Sequence, residues 1–465
     1  MDIREQWLAF GRERARPYDR PDNERHWSTE FDCMPRDALR RLQGERVSLS
    51  YRYLWQKSAF YRKKFEAAGL RPDSVSSLED VLQVPVTHRD EWLEDQRANP
   101  PWGTFSPLSQ EQWLERGWML FSTSGTTAAM PRMFRHTTFD KDMWAWLGAR
   151  ALHAMGVGRG DIALNCFGYG TSVAFWGLHY ALHLMGVPVI PGGGSNTERR
   201  VSFLRNFKPT VLLCTPSYAL HLGRTAQELG FNPADSTVKT LVVAGEPGAS
   251  VLATKARIEE LWGATVHDDF GCTEVAMSPM GYTCTHQAAR KDRIDPHLME
   301  DVYLVESLDP QTWKPVPPGK RGVLVVSNLF SEAQPILRYV MGDWIELTEE
   351  PCPCGRTHAR AVGGLHGRSD QMIKVRGLLF FPSAIEDAIR SQKEVGDEYK
   401  IEITRTNDMD FLCVSLEVRD AAASNERDIA ARLKGSLGID VQVKCLPPGT
   451  LPRTEFKAKR LFDLR

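Results

Sequence analysis

Several things are missing from this 465-residue chain, and each absence removes a class of function. There is no charge imbalance: 58 basic side chains against 59 acidic ones leave no electrostatic footprint for nucleic acid or an anionic membrane. No uncharged apolar run approaches the roughly 18 residues that a membrane span needs. The opening MDIREQWLAFGRERARPYDR is charged throughout and lacks the basic-then-apolar order of a secretory signal, so a cytoplasmic location is expected. Nor is there a disulfide framework, because nine cysteines scattered over a long chain read as reduced thiols; only Cys352 and Cys354 stand close together. No repeat and no low-complexity linker interrupts the pattern. What remains is a chain whose partners are small molecules and whose 42% hydrophobic content can bury roughly two or three structural units.

The pattern that is present changes along the chain. Leu39, Leu42, Val47, Leu54 and Phe60 are spaced for the apolar stripe of a long helix within 36–69. From about 118 to 270, strand candidates at Asp161 to Phe167, Val187 to Pro191, Thr210 to Cys214 and Thr240 to Ala244 alternate with helical stretches, which predicts a mostly parallel sheet covered on both faces. Beyond Ile373 the texture shifts to strands at Lys400 to Arg405 and Phe411 to Val418 around the turn-like Asn407 to Asp410. A helix near Glu426 to Leu437 and a strand at Val441 to Cys445 follow. The expected fold is α/β, a large N-terminal domain of mostly parallel sheets and helices with a small α+β C-terminal domain.

The stretch FSTSGTTAAMPRMF, residues 121 to 134, sets Ser122, Thr123, Ser124, Thr126 and Thr127 around Gly125 directly after an apolar run. Free N–H groups and hydroxyls in such a turn suit phosphate oxygens. It is not the GxxxxGK[ST] loop, having no second glycine and no lysine at the required positions. Taken alone it reads equally well as a solvent-exposed turn.

Further segments carry more. They are GYGTSVAFWGLHYALHLMGVPVIPGGGSNTERR (168–200), TPSYAL (215–220), AGEP (244–247), DDFGCTE (268–274), RYVMGD (338–343), CPCGRT (352–357), GRSDQMIKVRG (367–377) and LPRTEFKAKR (451–460). In this order, over nearly the whole chain, they resemble the adenylate-forming ligases, specifically the phenylacetate:CoA ligase branch. The resemblance implies that a carboxylate attacks ATP to give an acyl-adenylate and pyrophosphate, and that the acyl group then passes to the thiol of CoA. Positioning and charge neutralisation supply most of such catalysis.

The same resemblance distributes roles. Ser122 to Thr127 would grip the pyrophosphate end of ATP, helped by Arg132 in place of the usual lysine. Glu274 would hold Mg2+, and Thr273 would donate to the α-phosphate. Asp343 would accept the ribose hydroxyls, and Arg368 would reach ribose or phosphate. Asp269 belongs to the same nucleotide site, where Phe270 would stack on adenine opposite Gly245, Glu246 and Pro247. Lys457 would bridge carboxylate and α-phosphate, although Phe456 stands where the family has glycine. A hinge at Asp370 would divide residues 1–369 from a mobile 370–465.

Two further sites are expected. Cys284, His297, Cys352 and Cys354 make the donor set of a closed zinc shell, with His286 a rival ligand and metal-free reduced thiols the alternative. An aromatic acid would meet Tyr169, Phe175, Trp176 and His179, with Gly192 and Gly193 allowing close backbone approach; the same rings on a helical period also suit a core. Loss of the family's glycine and lysine in the opening loop keeps other readings open. These are a carrier-protein or amine acceptor, an inorganic oxyanion such as nitrite as substrate, and a nucleotide-binding relative without turnover. A homodimer also stays open.

Overall fold

Strands buried on both faces need continuous apolar runs rather than alternation, and the runs at 163–165, 211–214 and 240–244 meet that need in a computed structural model. It describes residues 2–14, 20–122, 132–171, 173–367, 373–375, 378–380, 382–406, 409–421, 424–452 and 460–465. β1 (Gly117–Ser122) and β2 (Met133–Thr137) form an antiparallel pair. β3 (Ala163–Asn165), β4 (Val189–Pro191), β5 (Val211–Cys214), β6 (Thr240–Ala244) and β7 (Thr265–Cys272) run parallel, joined by helical crossovers. β8 (Ala276–Tyr282) and β9 (His297–Leu298) continue the sheet antiparallel. β10 (Tyr303–Leu308), β11 (Gly322–Asn328) and β12 (Ile336–Ile345) make a separate antiparallel sheet. β13 (Leu347–Thr348) and β14 (Arg360–Ala361) then return to the large one. Among the described residues its order is β13-β14-β9-β8-β7-β6-β5-β3-β4.

The C-terminal residues have their own core, in which Ile385, Ile389, Ile401, Leu412, Leu416 and Leu433 are buried together. β15 (Ile373–Val375) pairs with β16 (Leu378–Phe380), and β17 (Val395–Thr406), β18 (Met409–Val418), β19 (Val441–Leu446) and β20 (Leu461–Asp463) form a sheet packed by helices Pro382–Arg390 and Glu426–Leu437. The α/β body with a smaller α+β unit is therefore the observed fold.

Three expectations are corrected in detail. The 36–69 stripe is two helices, Arg36–Lys57 and Ala59–Ala67, because Ser58 is extended and its Oγ accepts from Tyr61 N at 3.2 Å, a cap that outcompetes continuation. The strand expected from Asp161 begins at Ala163, since the Asp161 carboxylate instead accepts from Gly158 N (2.9 Å) and Thr210 Oγ1 (2.7 Å). Met409 and Asp410 open β18 rather than lying in a turn, and Asn407 and Asp408 fall outside the described residues.

One buried carboxylate fixes where β2 turns into helix Thr138–Ala154. Asp140 accepts from Thr137 N (3.1 Å), Ser331 Oγ (2.9 Å), Glu332 N (2.7 Å) and Ala333 N (3.3 Å), tying that corner to the segment before β12. Burial opposes its charge, but the His136 side chain and these donors outweigh burial and hold its pKa below the ordinary carboxylate range. Asp140→Ala leaves the donors buried without an acceptor and should cost about 3 kcal/mol in urea unfolding; an unchanged midpoint would show that the corner does not depend on it.

Candidate active site

Parallel strands joined by crossovers present all their carboxyl ends at one edge of the sheet, and in open α/β sheets that edge is where ligands bind. Here the ends of β3, β4, β5, β6 and β7 lead respectively into Phe167 to Tyr169, Gly192 and Gly193, Thr215 to Ser217, Gly245 to Pro247, and Phe270 to Glu274. Segments far apart in sequence thus become neighbours.

Phe270 faces Gly281 across the β7–β8 ladder, and a Cβ on Gly281 would lie 2.1 Å from the ring, so glycine is required for the ring to lie on the backbone. Gly245 adopts φ 92°, and Glu246 Oε1 accepts from Ser217 N at 2.7 Å, in the first turn of helix Pro216–Glu228. AGEP and TPSYAL are joined by that contact. Asp269 is buried in β7. Its neighbour Asp268, which sequence reasoning did not single out, accepts from Ser250 N (3.1 Å) and from Ser250 Oγ at 2.5 Å, and burial pushes its pKa up to about 6. Asp343 is half-buried near the end of β12, after Gly342 at φ 86°. It lies close enough to Cys272 to add to the effect of burial and of Glu274 in raising that thiol's pKa.

Glu274 is 8% exposed and forms an ion pair with Arg132, whose Nη1 also donates to Tyr339 Oη at 3.2 Å. The end of the hydroxyl-rich stretch, DDFGCTE and RYVMGD therefore meet at one buried charge pair. Sequence reasoning assigned Arg132 to phosphate and missed its partnership with Glu274, for which residue spacing carries no signal. Thr273 is half-buried in the turn beside it. Ser122 closes β1, where its N–H donates to Thr171 O at 3.0 Å. Thr123, Ser124, Gly125, Thr126, Thr127, Arg368, Asp370 and Lys457, and the side chain of Phe175, lie outside the described residues.

The aromatic residues expected around the acid do cluster. Tyr169 packs edge-on against Trp176 (ring centroids 5.0 Å apart) and His179 (5.5 Å), and Tyr180 joins Trp176 to Trp118. Asn165 Nδ2 donates to Tyr169 Oη at 2.9 Å, which lies 3.1 Å from His179 Nδ1, a polar chain that fixes both rings. A Cβ on Gly193 would stand 2.0 Å from Phe167 O and one on Gly192 2.9 Å from Leu164 Cδ1, so these backbones abut the end of β3. Asn165 and Trp118 are further lining candidates that the residue pattern did not separate from core.

Away from this edge, one donor atom from each of Cys284, His297, Cys352 and Cys354 lies within 4.8 Å of all the others. Cys284 and Cys352 sulfurs are 4.0 Å apart and Cys354 Sγ is 3.4 Å from His297 Nε2, close to the roughly 3.8 and 3.5 Å of a tetrahedral zinc shell. Gln287 N and Nε2 approach Cys284 and Cys352 sulfurs at 3.4 and 3.5 Å, an outer layer that orients the ligands. His286 is exposed and outside the group. The long run between Cys284 and His297 is taken up by a turn around Asp295, which pairs with Arg290, Arg293 and Arg360.

This sheet edge and its convergent segments define a nucleotide-dependent α/β enzyme. Residues 71–330 match the AMP-binding enzyme family and residues 377–465 match the AMP-binding enzyme C-terminal domain. The chain belongs to that family, in its acyl-CoA ligase branch. It is 33% identical to a phenylacetate-coenzyme A ligase of Thermus thermophilus, over 94% of this chain and 99% of that one. It is 30% identical to a phenylacetate-coenzyme A ligase of Escherichia coli, over 92% and 95%. A solved 2-hydroxyisobutyryl-CoA ligase in the postadenylation state, in complex with R3-HIB-AMP, is 31% identical with TM-score 0.89, covering 96% and 94%. The same enzyme in the thioesterification state, in complex with 2-HIB-AMP and CoA, gives TM-score 0.72 over 95% and 93%.

Asp268 supplies a pH test of the edge. Its folded pKa of about 6 lies above the unfolded value near 4, so the folded state holds a proton there that the unfolded state has lost, and stability falls as pH rises through that window. Asp268→Asn should remove about 2 to 3 kcal/mol of this decline in unfolding titrations; a variant with the parent's pH slope would refute the assignment.

Proposed function

We propose that the chain joins a carboxylic acid, in the first place an aromatic one, to ATP with release of pyrophosphate, and then transfers the acyl group to the thiol of CoA. The observation that carries this is the meeting of Glu274, Arg132 and Tyr339 beside the carboxyl ends of β6 and β7, in a chain similar to CoA ligases along nearly its whole length. Phe270 on its glycine floor offers one open face to adenine, and Gly245, Glu246 and Pro247 form the opposite wall. Asp343 receives the ribose hydroxyls and Asp269 backs that site. Thr273 donates to the α-phosphate, and Ser122 to Thr127 grip the β- and γ-phosphates. Arg368 and Lys457 approach the ribose and α-phosphate from the far side of a hinge at Asp370, where residues 1–369 give way to 370–465. Glu274 suits Mg2+, which when bound supplies charge neutralisation to the phosphates; Arg132 holds the carboxylate's charge otherwise. Tyr169, Trp176 and His179 line the acid's pocket, where His179, its pKa lowered by burial, is a neutral hydrogen-bonding group. Cys284, His297, Cys352 and Cys354 suit Zn2+, a closed shell that supplies fold stability and no open position for chemistry.

Pyrophosphate release over a panel of aryl acids, short hydroxy acids and small anions such as nitrite tests the first half-reaction. Repeating it with CoA, a carrier protein and amines tests the second. An aryl acid with CoA should turn over, and Glu274→Gln and Lys457→Ala should each lower adenylate formation about a hundredfold or more. Release with no acid, or with an anion alone, would replace this reading.

The metal is tested separately. Purified protein should carry one equivalent of zinc, and Cys354→Ser or a strong chelator should lower the thermal midpoint without altering the Mg2+ requirement. Full thermal stability in zinc-free protein would leave the group as three packed thiols and an imidazole.

A further inference from the structure

The first turns of one helix pack against the C-terminal half of another across the seam between the large body and the C-terminal unit. Helix Leu252–Trp262 starts at Val251, which offers no capping side chain. Its Ala253 N–H donates instead to Asp387 Oδ1, in helix Pro382–Arg390, at 3.2 Å, and Thr254 Oγ1 donates to Glu386 Oε1 at 3.2 Å. Arg257, one turn further on, reaches the C-terminus of the partner helix and the chain just beyond it. Its Nε donates to Arg390 O (2.9 Å), Nη2 to Gln392 O (2.9 Å) and Nη1 to Gly396 O (2.7 Å). Arg224 adds an ion pair with Asp397 at 2.9 Å.

The first N–H and last C=O groups of a helix lack partners within it, and its dipole favours an anion at the start and a cation at the end. Each helix here supplies what the other's end lacks, across the seam. Three carbonyls from one unit held by one guanidinium fix orientation as well as distance, a geometry that the compact ammonium of lysine does not reproduce. Burial and the nearby Arg390 lower the Arg257 pKa to about 10, which still leaves it charged at neutral pH.

None of these contacts survives a rotation of the C-terminal unit, because each joins one unit to the other. The chain's present arrangement is the one that superimposes on the postadenylation state of the solved relative and fits its thioesterification state less well. We infer that Arg257 and Asp387 are positioning residues that form a reciprocal helix-end latch, holding the C-terminal unit for the adenylation half-reaction and requiring release before the thiol transfer. This rests on the two-step reading proposed above.

The test uses the full chain with Arg257→Met, Arg257→Lys, Asp387→Asn and the Met/Asn double variant. Hydrogen exchange of the 252–258 segment and solution scattering report the arrangement; single-turnover adenylate formation and transfer from preformed adenylate to CoA report the two half-reactions. Arg257→Met should raise exchange at Ala253 about tenfold, shift the scattering curve, and slow adenylate formation about tenfold while transfer is unchanged or faster. Arg257→Lys should recover part of each change. Asp387→Asn, at an exposed position, should move the same readouts in the same direction by less. Unchanged exchange and scattering, or equal losses in both half-reactions, would overturn the latch. If the parent releases no pyrophosphate with any acid, the two-step reading fails, while exchange and scattering still decide whether the seam is latched.

Discussion

A parallel sheet tolerates no wet face, and the arrangement of this molecule follows from that constraint. Each strand from β3 to β6 is followed by a helix that crosses back over the sheet to the next, so the five strands β3 to β7 point the same way. The crossovers also bring every outgoing loop to one edge. Gly192 and Gly193 sit there because the end of β3 leaves no room for a Cβ, and Gly281 lets Phe270 lie against the next strand. Space at this edge is set by backbone contact, which side-chain packing elsewhere only supports.

Charge at the edge obeys a second constraint. A carboxylate as buried as Glu274 is costly unless paired, and Arg132 pairs it. Tyr339 Oη holds the guanidinium from β12. The corner secured by Asp140 lies at the other end of β2 from Arg132, so a rigid strand connects the structural carboxylate to the site. Order at the ion pair is thus supplied from outside the site.

The far side of the large sheet solves a different problem. β9, β13 and β14 are two residues each, too short for their ladder bonds to hold them alone. The cysteine and histidine group spans this region from before β9 to beyond β13, and Asp295 with its three arginines fills the adjoining turn. These contacts add to the apolar packing there, in which Leu298, Ala359 and Ala361 are buried.

The sequence by itself determined the strand and helix alternation, the strands expected at 210–214 and 240–244 (the first observed one residue shorter), the helix at Glu426–Leu437, and the family, because apolar runs, periodicity and contiguous motifs are local properties. It also contained the four metal-type donors, yet left His286 beside His297 as a rival; burial of one and exposure of the other, set by the turn around Asp295, decided between them. The break at Ser58 was written in the sequence but masked by an apolar stripe that continues across it. Arg132 with Glu274, Asp268 with Ser250, Asn165 with Tyr169, and Arg257 against the 382–390 helix were beyond its reach. Most of these pairs join residues that only the crossover topology or the seam between units brings together, and a pairing depends on distance in space, which residue type and spacing along the chain do not encode.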